Sequence, residues 1–162
     1  MVLSELNGFF TACSAVAGSL IGLLFVAITL RYDAIFGAAA LRRNRSIAYG
    51  AFTALVNALT VSLFALVPFV HLGYPVAVVA ALSLVATFRT HGLAGLNRPF
   101  FYVSAALYAF QFVDGALLIA VPSRAGLADA LVYLVISAFL TALMRSWQLL
   151  QVEGEQAPAA EG

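Results

Sequence analysis

The sequence predicts an all-α polytopic membrane bundle of about five transmembrane helices. Three observations carry that prediction: an excess of apolar residues, five apolar stretches close to one bilayer in length, and arginines collected in alternate connections. Hydrophobic residues make up 64% of the 162 and charged residues 9%, against roughly 45–50% and 25% in soluble domains. Eight basic and seven acidic side chains cannot cover the surface of a water-soluble fold of this size, so the remaining surface is expected to face lipid.

A membrane span needs about 20 mostly apolar residues to cross about 30 Å of hydrocarbon. Residues 1–150 are read as one transmembrane domain with spans at about 8–30, 47–70, 72–88, 100–121 and 127–144. The third span is the shortest. Polar or turn-forming groups separate them: Arg42-Arg43-Asn44-Arg45-Ser46, Gly73-Tyr74-Pro75, Asn97-Arg98-Pro99 and Pro122-Ser123-Arg124. Pro75 and Pro99 suit the first turn of a helix, where the missing N–H is not needed, and Pro122 suits a helix end. The short connections at 71–75 and 122–126 make hairpins of the helices they join. Residues 151–162 contain the acidic stretch EGEQAPAAEG, too poor in apolar groups to fold, and are read as a disordered tail.

The first apolar stretch is expected to be a retained helix rather than a cleaved signal. Ser4, Glu5 and Asn7 precede it in place of a positive n-region, and the stretch is long enough to span. In a five-span arrangement Arg31, Arg42, Arg43, Arg45, Arg89, Arg98 and Arg145 fall on one side and Arg124 on the other. The positive-inside rule then puts the N-terminus outside and the C-terminus in the cytoplasm, as for a multi-pass protein of a cell inner (plasma) membrane. A four-span arrangement without the third helix would split the arginines between the two faces. No internal repeat supports an inverted-repeat transporter core.

Helices in lipid associate through small residues and a few polar contacts. The first span carries Ser14, Gly18 and Gly22 at spacings of four, a series that contains GxxxG and suits self-association. The second carries Gly50, Thr53, Asn57 and Thr60, the third Ser83 and Thr87, and the fifth Ser137 and Thr141. These stripes are read as helix–helix contacts, some of which would line a polar path in a channel.

Asp114 in FQFVDGALL is the most informative position. It lies within the fourth span, somewhat past its middle, where a charged carboxylate facing lipid costs several kcal/mol. Gln111 is one turn earlier on nearly the same face, and Asn57 is near mid-depth on the second span. The three are expected to form a polar intramembrane cluster. Asp114 is then neutral, ionised in water, or paired with a cation, with His71 and Arg124 the nearest candidates in depth. The readings that follow are a structural polar lock, the handling of an ion, proton or polar solute, and a small-ligand site.

Other motifs point away from chemistry. His71 and His91 fall on opposite sides and cannot share a metal. The single cysteine, Cys13, has no partner for a disulfide or a cysteine-based metal site. The Arg42, Arg43, Arg45 patch is a topology signal that also attracts anionic lipid head groups, and Arg31 is placed to pair with Asp33 at the interface. Asp114-Gly115 resembles the start of a membrane phosphatidyltransferase metal motif, but Leu118, Ile119, Val132 and Ile136 stand where its later residues belong. No CxxC, HExxH, P-loop or GxSxG occurs. No catalytic residue, metal or cofactor is therefore expected, nor an enzyme, nor a nucleic-acid partner.

The stretch GSLIGLLFVAITLRYDAI at 18–35, and LVNALTVSLFALVP at 55–68, resemble small bacterial integral membrane proteins of unassigned activity. In those a Gly-Leu-Leu-Phe-Val-Ala-Ile/Val-Ser-Leu first helix precedes an arginine-rich loop; Thr29 stands here in place of the usual serine. The resemblance covers about the first 70 residues. Some such proteins are described as modulators of a membrane protease, which implies a binding role. Two functions are thus expected to compete: a homo-oligomeric channel or transport component, and an accessory subunit that binds another membrane protein.

Overall fold

The computed structural model describes residues 6–37, 42–67, 71–94, 98–121 and 125–151. All of its elements are helices: α1 (Asn7–Leu30), α2 (Tyr32–Phe36), α3 (Arg42–Leu66), α4 (Gly73–Ala94), α5 (Arg98–Ala120) and α6 (Ala125–Gln151). Five of them, all but α2, are long and apolar enough to cross a membrane. Their outward faces carry large apolar side chains such as Leu23, Leu30, Leu82, Phe110 and Leu140. Exposed apolar surface on this scale marks contact with something other than water.

Helices α3, α4, α5 and α6 pack in a ring, each against the next and α6 back against α3. Helix α1 lies outside that ring against α3. Half of the apolar window of α3 is buried, against 17% of that of α1, which makes α3 the hub and α1 an edge helix. The reason lies in side-chain size. Ala48, Ala51, Ala54 and Ala58 recur along α3 and are all but inaccessible; such small residues let neighbouring backbones approach closely. Helix α1 meets α3 through Phe10, Ala17 and Leu24, buried at intervals of seven. Cys13 is half-buried and packs against the core, as a small apolar residue does.

The closest approach joins α4 to α5. A Cβ added at Gly115 would lie 2.7 Å from the backbone nitrogen of Ala77 and 3.0 Å from its Cα. One added at Gly73 would lie 2.7 Å from Cγ1 of Ile119 and 2.8 Å from the carbonyl oxygen of Gly115. Glycine is required at both places because backbone occupies the space. Toward the other end of the same pair, the rings of Phe88 and Phe101 meet edge to face at 5.3 Å.

The helices extend past the apolar stretches that announce them. Helix α3 begins at Arg42 rather than near 47, with Arg42, Arg43, Asn44 and Arg45 in its first turns. Asn44 and Arg45 find acceptors in and just after α2, an elbow folded back on α3. Asn44 Nδ2 donates to the Ala34 carbonyl at 3.0 Å. Arg45 donates to the carbonyls of Phe36 and Gly37 at 3.1 and 3.0 Å. The last carbonyls of a helix lack partners within it, so the basic run caps α2 and begins α3 at once. Helix α6 continues to Gln151, seven residues past its expected end at 144. Most of the expected tail (152–162) and the connection at 122–124, with Arg124, lie outside the described residues.

Candidate functional site

A polar stripe runs along the buried face of α5. Ser104, Tyr108, Gln111 and Asp114 follow at intervals of four, three and three and are all at least nine-tenths buried. Such spacing keeps one face of a helix, and ten residues rise about 15 Å. At one end of the stripe is a cation, at the other a carboxylate.

The cation is Arg145 of α6, only 8% exposed. Its guanidinium donates to Ser104 Oγ at 3.0 Å, to the Phe100 carbonyl at 3.3 Å and to the Ser46 carbonyl at 3.5 Å. It also lies 5.8 Å from the centre of the Phe100 ring, within the range of a cation–π contact. Gly50 of α3 makes room for it, since a Cβ there would collide with the guanidinium nitrogen. Every one of these partners is neutral. Among the described residues Arg145 thus ties α6 to the first turns of α3 and α5 through dipoles rather than through a counter-ion.

Arg145, which the sequence sets just past a fifth span at 127–144, falls within the apolar window Asp129–Leu149 and is buried between helices. The signal was present in Ser137, Thr141 and Arg145 at intervals of four. Hydropathy averaging obscures it, because it scores a residue without its partner on another helix.

The carboxylate is Asp114, 6% exposed. Its Oδ2 and the Nε2 of Gln111 are buried without a hydrogen-bond partner among the described residues. Asp114 borders a groove of about 480 Å³ between α5 and α6, lined otherwise by apolar groups, Tyr133 and Ser137. Asn57, the third member of the expected cluster, is engaged elsewhere. Its Nδ2 donates to Ser83 Oγ of α4 at 3.0 Å. That bond is a polar lock between α3 and α4; Asp114 Oδ2 has no such bond among the described residues. Ser83→Ala is expected to lower stability by about 0.6 kcal/mol, the mean for hydrogen bonds between membrane helices. Unfolding in graded denaturing detergent measures it, and a loss above about 2 kcal/mol would contradict so local a role.

Comparison with protein-family models, curated proteins and solved structures finds no match to this chain. The site therefore rests on its own geometry. Asp129, which the sequence reading passed over, stands on the second turn of α6 with its Oδ1 buried and unpartnered among the described residues. The hydroxyls of Thr60, Thr87 and Thr141 donate within their own helices, to the carbonyls of Val56, Ser83 and Ser137 at 2.7–2.8 Å. They do not bridge helices.

The small residues of α1 and α3 part company. Gly50 is a packing position against α6, whereas a Cβ at Gly18 or Gly22 would meet nothing within 4 Å. Ser14 is half-buried and donates to the Thr11 carbonyl of its own helix at 2.9 Å. Among the described residues, Gly18 and Gly22 face open space. Of the arginine patch, Arg42 is exposed, and Arg43 and Arg45 are half-buried. Arg31 donates to the Leu149 carbonyl at the end of α6 at 3.4 Å, and Asp33 is exposed. His71 precedes α4 and His91 stands in its last turn.

Proposed function

We propose that this chain is a non-enzymatic transport component of a bacterial inner membrane that takes a proton or small cation onto Asp114. The observation that carries the reading is a buried carboxylate oxygen, inside a span and beside a groove, to which no donor among the described residues is directed. A group serving only to lock helices together is satisfied by its neighbours, as Asn57 and Ser83 are. An unsatisfied buried polar atom calls for an explanation, and an ionisable one within a span marks an ion or proton pathway by default. Gln111, Tyr108 and Ser104 extend the polar face from Asp114 toward Arg145. We place the N-terminus outside and the C-terminus in the cytoplasm, with the arginine-bearing end of the bundle inward. Assembly as a homo-oligomer would bring several such stripes together.

Purified protein in liposomes is expected to support proton or monovalent-cation flux, and Asp114→Asn to abolish it. The variant keeps the shape and the hydrogen-bonding capacity of the side chain, so helix content and mass in detergent should not change. Equal flux from both proteins would end the proposal.

One observation favours a second reading, an accessory subunit that binds another membrane protein. The Gly18–Gly22 face of α1 is open and suits the close approach of a foreign helix. Co-purification of one stoichiometric membrane partner, without flux, would decide for it.

A further inference from the structure

A crevice of about 160 Å³ separates α1 from α6. Leu20, Leu24 and Ile28 of α1 line it on one side and Ala142 and Leu149 of α6 on the other, with Arg31 and Ser146 supplying its polar groups. From Leu20 to Arg31 it follows α1 for about 16 Å. Away from those two residues the crevice offers water no partners, and such an apolar space accepts an apolar guest. Between two membrane helices the guest at hand is hydrocarbon.

The charge around one end of the crevice narrows the choice. Residues 31–45 hold four arginines and a single aspartate, Asp33. Arg31 lies where α1 gives way to the elbow α2, at the end of the apolar stretch. Its guanidinium carries five N–H donors in a planar fork that matches a phosphate, and it reaches the Leu149 carbonyl across the crevice. Hydrocarbon below and a phosphate-binding cation at its end describe one molecule.

We infer that the crevice between α1 and α6 holds an acyl chain of an anionic phospholipid, with Arg31 on its phosphate. The lipid fills the gap that α1, packed against α3, leaves open beside α6. The site is separate from Asp114 and stands whether or not that carboxylate moves an ion.

The test uses the full chain in nanodiscs of equal phosphatidylglycerol and phosphatidylcholine. The protein is extracted into mild detergent, and the lipid retained per chain is read by native mass spectrometry. Phosphatidylglycerol is expected to be retained over phosphatidylcholine. Arg31→Gln should retain about fivefold less of it, the size of one arginine's attraction to an anionic surface, and Arg31→Lys should restore most of the binding. Ala27→Phe fills the crevice from α1 and should lose both lipids, with helix content and mass unchanged. Equal retention of the two lipids overturns the inference, even if neither variant can be purified. So does unaltered phosphatidylglycerol binding by Arg31→Gln. Conversion of a dimer to a monomer by Ala27→Phe, without change in lipid, overturns it too and gives the crevice to a second copy of the chain.

Discussion

Gly115→Leu is expected to force α4 and α5 apart and to destabilise the protein by about 3 kcal/mol, the upper end of the usual range for overpacking. The first added carbon would lie 2.7 Å from the nitrogen and 3.0 Å from the Cα of Ala77. No rotamer change relieves a collision with backbone, so a helix must move. Gly73, whose added carbon would press on the Gly115 carbonyl, shows that the contact is tight from both sides. Gly22→Leu is the matched control, because nothing lies within 4 Å of its position. Thermal unfolding of the two variants in detergent, followed by loss of the monodisperse peak, provides the comparison. Similar midpoints would mean that α4 and α5 do not meet at Gly115. Since Asp114 is its neighbour in sequence, the substitution should also disturb any flux that the proposed role of Asp114 supports.

Arg145→Glu is expected to remove a comparable 3–5 kcal/mol, the range for a buried charge left without compensation. The guanidinium has two carbonyl oxygens and a hydroxyl around it. A carboxylate in its place would meet the same two oxygens, and the Ser104 hydroxyl alone could donate to it. Arg145→Gln retains donors for these acceptors and removes the charge, so its effect should be much smaller. Gly50→Ala belongs with them: its methyl group would displace the guanidinium, the flexible end of a side chain, and the predicted loss falls between the two. The fraction of each variant that remains folded on extraction gives the order. A glutamate variant as stable as the glutamine variant would show that Arg145 does not hold α6 against α3 and α5.

Five spans were legible because each is a long apolar run, and transfer into lipid depends on the run as a whole. The bounds of α3 and α6 were less legible. Arginine is a good helix former, so Arg42 and Arg45 extend α3, with Arg45 held by the Phe36 and Gly37 carbonyls, and composition alone marks them as a break. Arg145 was missed for a related reason: its acceptors lie at positions 46, 100 and 104, on two other helices. Asp114 and Gln111 were found because a carboxylate and an amide inside a span are conspicuous one by one. That Asn57 would bond to Ser83 was not legible, since both neighbouring faces of α3 carry small or polar residues. Nor did α1 disclose its inner face. It is apolar almost all round, and the interval of seven joining Phe10, Ala17 and Leu24 emerges only when α3 is beside it.

The elbow at α2 ties the geometry of the chain to the order of its synthesis. The carbonyls at 34, 36 and 37 receive their side-chain donors from residues 44 and 45, which leave the ribosome later. The bend can therefore latch only after Asn44 and Arg45 have emerged. Arg45→Ala would remove two of the three side-chain bonds of the latch. A reporter that flips in that variant, yet stays in place with Arg42→Ala, would reveal that the bend itself helps to hold the chain the right way round.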